Sequence, residues 1–95
     1  MSQCRNLADY AVILSEKDNV ATALVDLPAG DYIYDSEESR TTITVHEDIS
    51  AGFKLALSYI SKSEAVYKYG YVIGLAGVDI KQGDCVHIHN LVSSV

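Results

Sequence analysis

Basic side chains are few in this chain. Of its 95 residues, seven are Lys or Arg and thirteen are Asp or Glu, for a formal charge of −6. Lys17, Lys54, Lys62, Lys68 and Lys81 are scattered, and no two adjoin. Gripping a phosphate backbone takes a basic field, so nucleic acid is not expected as a partner. Long apolar runs are also missing. None approaches the roughly 20 residues that cross a bilayer, and "MSQCRNLADYAVIL" at the N-terminus reads as neither signal peptide nor membrane anchor. Cysteine is limited to Cys4 and Cys85. Nothing marks the chain for secretion, so reduced thiols and a cytoplasmic location are expected. The common catalytic signatures are absent: there is no nucleophile elbow, HExxH, CxxC or phosphate-binding loop.

What is present suits one small globular domain. Hydrophobic residues make up 48% and charged residues 21%, which argues against disorder over most of the length. A chain of this size buries roughly 60–65% of its unfolded surface, enough for a core but not for the walls of a deep private pocket. Residues 1–9 read as a flexible leader and 10–95 as the domain. "YAVIL" (10–14) reads as a short buried strand. Asp18 is a suitable N-cap, and Val20, Ala23 and Leu24 fall at i, i+3, i+4, which predicts a short helix over about residues 19–26, stopped by Pro28. Short strands then follow at "DYIY" (31–34), "RTTITV" (40–45), "KLALSYI" (54–60), "AVYKYG" (65–70), "YVIGLAG" (71–77) and "DCVHIH" (84–89). A spacing of roughly ten residues with turn signals between them predicts a mainly β barrel or clip with one short helix. The acidic loop at 35–39 and His46, beside Glu47 and Asp48, read as solvated surface.

One pattern recurs. "DLPAGD" (26–31), "DISAGF" (48–53) and "DIKQGD" (79–84) share Asp, an aliphatic residue, two variable positions and Gly; "YISKSE" (59–64) is a degraded copy with Ser63 for the glycine. The Asp side chain is expected to bond backbone amides two residues on, the aliphatic residue to plug the core, and the Gly to supply positive φ. These are corners between strands at Gly30, Gly52 and Gly83. Gly70 and Gly74 bracket a strand in a way that fits a tight bend or close packing of backbones. Lys68, between two tyrosines, is compatible with a snorkelling surface residue or a substrate contact.

"DCVHIHN" (84–90) is the stretch richest in chemistry. At a strand's period of two, Cys85, His87 and His89 share one face and Val86 and Ile88 the other. Imidazole and thiolate bind zinc or iron, but a closed site needs about four ligands and the chain supplies few more. A surface that meets another polypeptide or an enclosed substrate therefore suits these side chains better than a self-contained metal site, and the isolated chain is expected to hold no cofactor.

The order of the pieces resembles a known family. "DNVATALVDLPAGD", "DISAGFKLAL" and "YKYGYVIGLAGVDIKQGDCVHIHN", together covering about residues 10–90, look like the SAF domain, a β-clip, of the altronate and galactarate dehydratases. The resemblance implies a small subunit that works with a large catalytic subunit, as in the related sulfolactate sulfo-lyases. The reaction implied is loss of water or sulfite β to the carboxylate of a sugar acid or related hydroxy acid. A divalent metal, iron or manganese, is implied in the complex rather than in this chain, and a homo-oligomer is compatible with it. Carried over onto this sequence, His87, His89 and Lys54 are the candidates for catalysis, and Lys68, Gly70 and Asn90 for substrate binding. Relatives often read Gly-His-Lys where this chain has Gly52-Phe53-Lys54, and often carry a bulkier residue at Cys85. Phe53 cannot exchange a proton, which favours the alternative of a non-catalytic SAF module that binds a small acid or a protein partner.

Overall fold

The computed structural model describes residues 5–13, 15, 17–35, 40–87 and 90–92. Cys4, most of the acidic loop, Ile88 and His89 lie outside the described residues. The chain is mainly β, with strands β1 (Arg5–Asn6), β2 (Ala11–Val12), β3 (Val20–Ala23), β4 (Gly30–Asp35), β5 (Arg40–Val45), β6 (Lys54–Ala56), β7 (Ala65–Lys68), β8 (Tyr71–Ala76), β9 (Cys85–Val86) and β10 (Leu91–Val92). They form three sheets, ordered β1-β4-β5, β10-β8-β7 and β2-β3-β6-β9. All pairs are antiparallel except β1 with β4.

The helix expected over 19–26 is not there; β3 occupies its centre. The reason is burial on both faces. Val20 packs with Ala56, Ile60, Val66, Ala76, Ile80 and Val86 on one side of the four-stranded sheet. Ala21 and Ala23 pack on the other side with Leu27, Tyr32, Ile43, Ile49 and Leu55. A strand buried on both faces loses its period-two signal, and Val20-Ala21-Thr22-Ala23 then mimics a helical stripe. Leu24, assigned to that stripe, is 60% exposed. Asp18 caps no helix; its Oδ1 accepts from the Gly70 amide at 2.7 Å. Among the described residues the only helical element is a 3-10 turn, Leu7–Asp9, capped by Asn6 Oδ1 on the Ala8 amide. Of the stretch read as a leader, Arg5–Asn6 pairs with β4 and Leu7 is fully buried.

The repeats are corners, and they come in pairs. Leu27 and Ile49 exchange backbone hydrogen bonds, as do Ile60 and Ile80, and all four side chains are buried. Gly30, Gly52 and Gly83 have φ of 145°, 90° and 89°, and Ser63, in the fourth copy, takes φ 75°. The Asp partners differ from expectation. Asp26 Oδ1 accepts from Ala51 N, Asp48 Oδ1 from Ala29 N and Asp79 Oδ1 from Lys62 N, so each carboxylate reaches across to the paired corner. The bridge between aliphatic residues sets each Asp beside its partner corner's free amide, and that amide is better placed than the local one. Tyr59 holds the fourth Asp position, and its hydroxyl helps to keep the Asp79 carboxyl below its ordinary range.

Candidate functional site

The strand that carries Cys85 ends at Val86. A tight turn follows, in which Asn90 N–H donates to the His87 carbonyl at 3.0 Å. The Asn90 side chain locks it: Oδ1 accepts from His87 N at 2.9 Å and Nδ2 donates to Cys85 O at 2.8 Å. Asn90 is buried, and these contacts make it a holder of the turn. The strand expected over 84–89 stops before His87, so His87 does not continue the strand face of Cys85, and His89 lies outside the described residues. Asn90, three residues on, closes a hydrogen-bonded turn that competes with a continued ladder.

His87 instead has an aromatic partner. Lys54 pairs with Val86 and Leu55 with Cys85, so one further step in the same register sets Phe53 opposite His87. Their rings stack at 4.1 Å between centroids and 12° between planes. Cross-strand aromatic pairs of this kind stabilise sheet ends. Phe53, the departure noted in the sequence, is in direct contact with the imidazole.

Lys54 lies on the other face. Alternation along β6 sends Leu55 into the core shared with Tyr32, and Ala56 into the core shared with Val86. Lys54 shares the Ala56 face, with Thr22 as its cross-strand neighbour on β3. Burial pushes the Lys54 ammonium below the usual lysine range, and the charge of Lys68 pushes it the same way. Lys68 ends β7, just after a register shift between Val66 and Tyr67. Its Nζ lies 4.9 Å from the Tyr69 ring centroid. Gly70 follows at φ 82° with its amide on Asp18, so its place in the site is to shape the hairpin tip. The fold thus stacks Phe53 on His87 and leaves Lys54 under the influence of the Lys68 charge.

Cys85 sits on the His87 side, half-buried against the larger core. Burial, reinforced by the charge of Glu47, pushes its thiol up, which disfavours the thiolate that a metal or an electrophile needs. Among the described residues no group of three or more His, Cys, Asp or Glu side chains converges to hold a metal.

Three contributors were not read from the sequence. Asp18 and Asn19 reach about fifty residues along the chain to the β7–β8 hairpin: Asn19 Oδ1 accepts from Tyr67 N, and its Nδ2 donates to Ala65 O. Tyr69 takes φ 56°, a left-handed conformation unusual for a bulky residue. An Asp-Asn pair ahead of a β-branched run was the available signal, and it was absorbed by the N-cap reading.

A family model for the altronate/galactarate dehydratase SAF domain matches residues 9–94. The chain is 38% identical over 77 residues to an altronate dehydratase of Bacillus subtilis (strain 168), covering 81% of this chain and 15% of that protein. It is 44% identical over 73 residues to an altronate dehydratase of Escherichia coli (strain K12), covering 77% of this chain and 14% of that one. A (2R)-sulfolactate sulfo-lyase subunit alpha of Chromohalobacter salexigens is 38% identical over 56 residues, 58% of this chain and 60% of that subunit. The chain therefore spans less than two thirds of the length of each of these relatives.

Proposed function

The chain belongs to the altronate/galactarate dehydratase SAF domain family, and from that premise we propose that it is the small subunit of a hydro-lyase or sulfo-lyase. It works with a large catalytic subunit on a sugar acid or related hydroxy acid. The observation that carries the proposal is the family match over residues 9–94 together with the 38% identity to a (2R)-sulfolactate sulfo-lyase subunit alpha. Elimination takes a base beside the carboxylate, an acid for the leaving group, and an enclosure that excludes water. This chain brings an imidazole fixed by the 87–90 turn and two lysines at strand ends, and it relies on its partner for the enclosure. His87 and His89 stand at the rim as proton carriers, Lys54 joins them, and Lys68 holds the acid. Asn90 acts on His87 through the turn, and Gly70 on Lys68 through the hairpin. No step is assigned to a metal in this chain.

The test is co-expression with the cognate large subunit, co-purification, and assay on altronate, galactarate and sulfolactate. The isolated chain should be inactive and the complex active. Changing His87 and His89 together to Ala should lower turnover by about 10²-fold or more if either transfers a proton. Full turnover by the large subunit alone would end the subunit reading. The second reading, a non-catalytic acid- or protein-binding module, is favoured by Phe53. It predicts a complex that turns over equally well with the double His variant.

A further inference from the structure

The sheet of β10, β8 and β7 has two unlike faces. One closes the second core, where Val66 and Ala76 are buried and Ile73 and Leu91 pack against them. The other is set by register. Ala65 stands opposite Leu75, and Leu75 opposite Val92, so these three side chains share a face across all three strands. Tyr67, two residues on from Ala65, adds itself and its partner Val72. Leu75, Val72 and Val92 are 37%, 46% and 55% exposed, and Val78, just past β8, is exposed as well. Val92 reaches toward that end of β8, since a Cβ on Gly77 would meet Val92 Cγ2 at 3.1 Å. Every side chain that this register sets on the face is uncharged.

A sheet face that meets water looks different in the same chain. On β4 and β5 the outward positions pair Asp31 with Thr44, Ile33 with Thr42 and Asp35 with Arg40. Asp31 Oδ1 accepts from Thr44 Oγ1 at 2.7 Å, and Asp35 forms an ion pair with Arg40. An antiparallel sheet with one solvated face takes this polar form. Three exposed aliphatic side chains on one face, with a fourth at its end, are the mark of a surface that another molecule covers. The hairpin is also clamped. Asn19 ties β7 through Tyr67 N and Ala65 O, and Asp18 ties the tip through Gly70 N. The tip bears Tyr69, at φ 56°, and the exposed Tyr71. A surface held in this way has less ordering entropy to lose on binding, and tyrosines are common anchors of interfaces.

We propose that the outer face of the β7-β8-β10 sheet is the docking surface for the large catalytic subunit, with Leu75 and Val92 at its centre and the tip at Tyr69 and Tyr71 at its edge. The choice of partner rests on the small-subunit reading above; the face itself rests on register and exposure. Three observations select this occupant over a second copy. The face runs along β8 into the tip that carries Lys68 and Gly70, so a partner seated on it lies beside the residues it must enclose. A second copy would set another charge of −6 against the first and bring no residue that the first lacks. In the two altronate dehydratases the matched segment is 15% and 14% of the chain, so most of each relative is there to cover such a face within one polypeptide. The opposing surface is apolar and uncharged, because a charge buried against these side chains would find no partner.

The experiment is amide hydrogen exchange, read by mass spectrometry, on the full chain alone and in its complex with the cognate large subunit. Complex formation should slow exchange along 69–78 and 91–92 and leave β4 and β5 unchanged. Leu75→Glu and Val92→Glu should each weaken the complex by about 100-fold or more, because each buries a carboxylate with no partner. Val25→Glu, at an exposed aliphatic residue outside the face, adds the same charge and should bind like the parent. All three variants should melt close to the parent when free, since these side chains already meet water there. Should a Glu variant on the face melt lower, the exchange map of the parent complex decides by itself. The free parent chain should sediment as a monomer. Parent-like binding by both face variants, equal weakening by Val25→Glu, or slowed exchange confined to β4 and β5 would each overturn the docking surface and leave the subunit reading standing. A free chain that dimerises, with the dimer broken by Val92→Glu, would assign the face to a second copy and overturn the proposal. A large subunit that forms no complex with the parent chain would end both.

Discussion

Gly52 and Gly83 share a backbone angle, φ 90° and 89°, and differ in what surrounds them. A Cβ on Gly52 would meet nothing within 4 Å, whereas one on Gly83 would run into the Thr44 carbonyl. Gly52→Ala should therefore lose about 1 kcal/mol, the strain of a left-handed alanine. Gly83→Ala adds an overpacking term and should lose about 3 kcal/mol or more. Urea denaturation of both variants separates strain from collision; equal losses would show that the Thr44 carbonyl moves aside freely. Both turns were legible in the sequence, because positive φ is a local demand that a Gly answers locally. The Thr44 contact was not, because it comes from a strand forty residues away. Phe53 shows the same division. Its lack of a proton could be read from the sequence, but its stacking on His87 depends on the β6–β9 register.

The corners gain their strength in pairs, so their aspartates report on pairing. The backbone amide of Lys62 and then the Tyr59 hydroxyl hold the Asp79 carboxyl below its ordinary range. A group whose folded pKa is depressed adds stability above its unfolded value, near 3.8, and loses it as pH falls through the lower, folded value. Glu64, on the Ser61 hydroxyl and amide, works in the same direction. The melting temperature should therefore drop on acidification through the carboxylate range, about pH 4 and below. Asp79→Asn should be less stable than the parent at neutral pH and should lose less on acidification. Thermal melts of both chains at neutral and acid pH check this; parallel pH profiles would mean the cross-corner bond adds nothing. The helix expected over 19–26 belongs to this scale too. A 3.6-residue stripe and a doubly buried strand give one apolar pattern over four residues, and only the pairing of β3 with β2 and β6 decides between them.

At the scale of the molecule, the four-stranded sheet is a shared wall between two cores. Ile43 lies in one and Ile80 in the other, while Leu55 stands on the strand between them. Both cores pack against this one sheet, so the two should melt together. Ile43→Ala and Ile80→Ala should each lower a single transition by about 2–5 kcal/mol, seen alike by far-UV and near-UV circular dichroism. Two separate transitions in either variant would show that the cores are independent.

The sequence by itself determined the β class, the strand at 40–45, the corners at Gly30, Gly52 and Gly83, and the inventory of side chains able to do chemistry. Each of these depends on residues within a turn or a strand of one another, where period and turn chemistry act. Only the tertiary structure decided that 20–23 is a strand, that corners exchange their aspartates, and that His87 faces Phe53. Those outcomes follow from register. A shift of one residue in a β-ladder turns every side chain to the other face, and register is set by pairings between residues far apart in the chain.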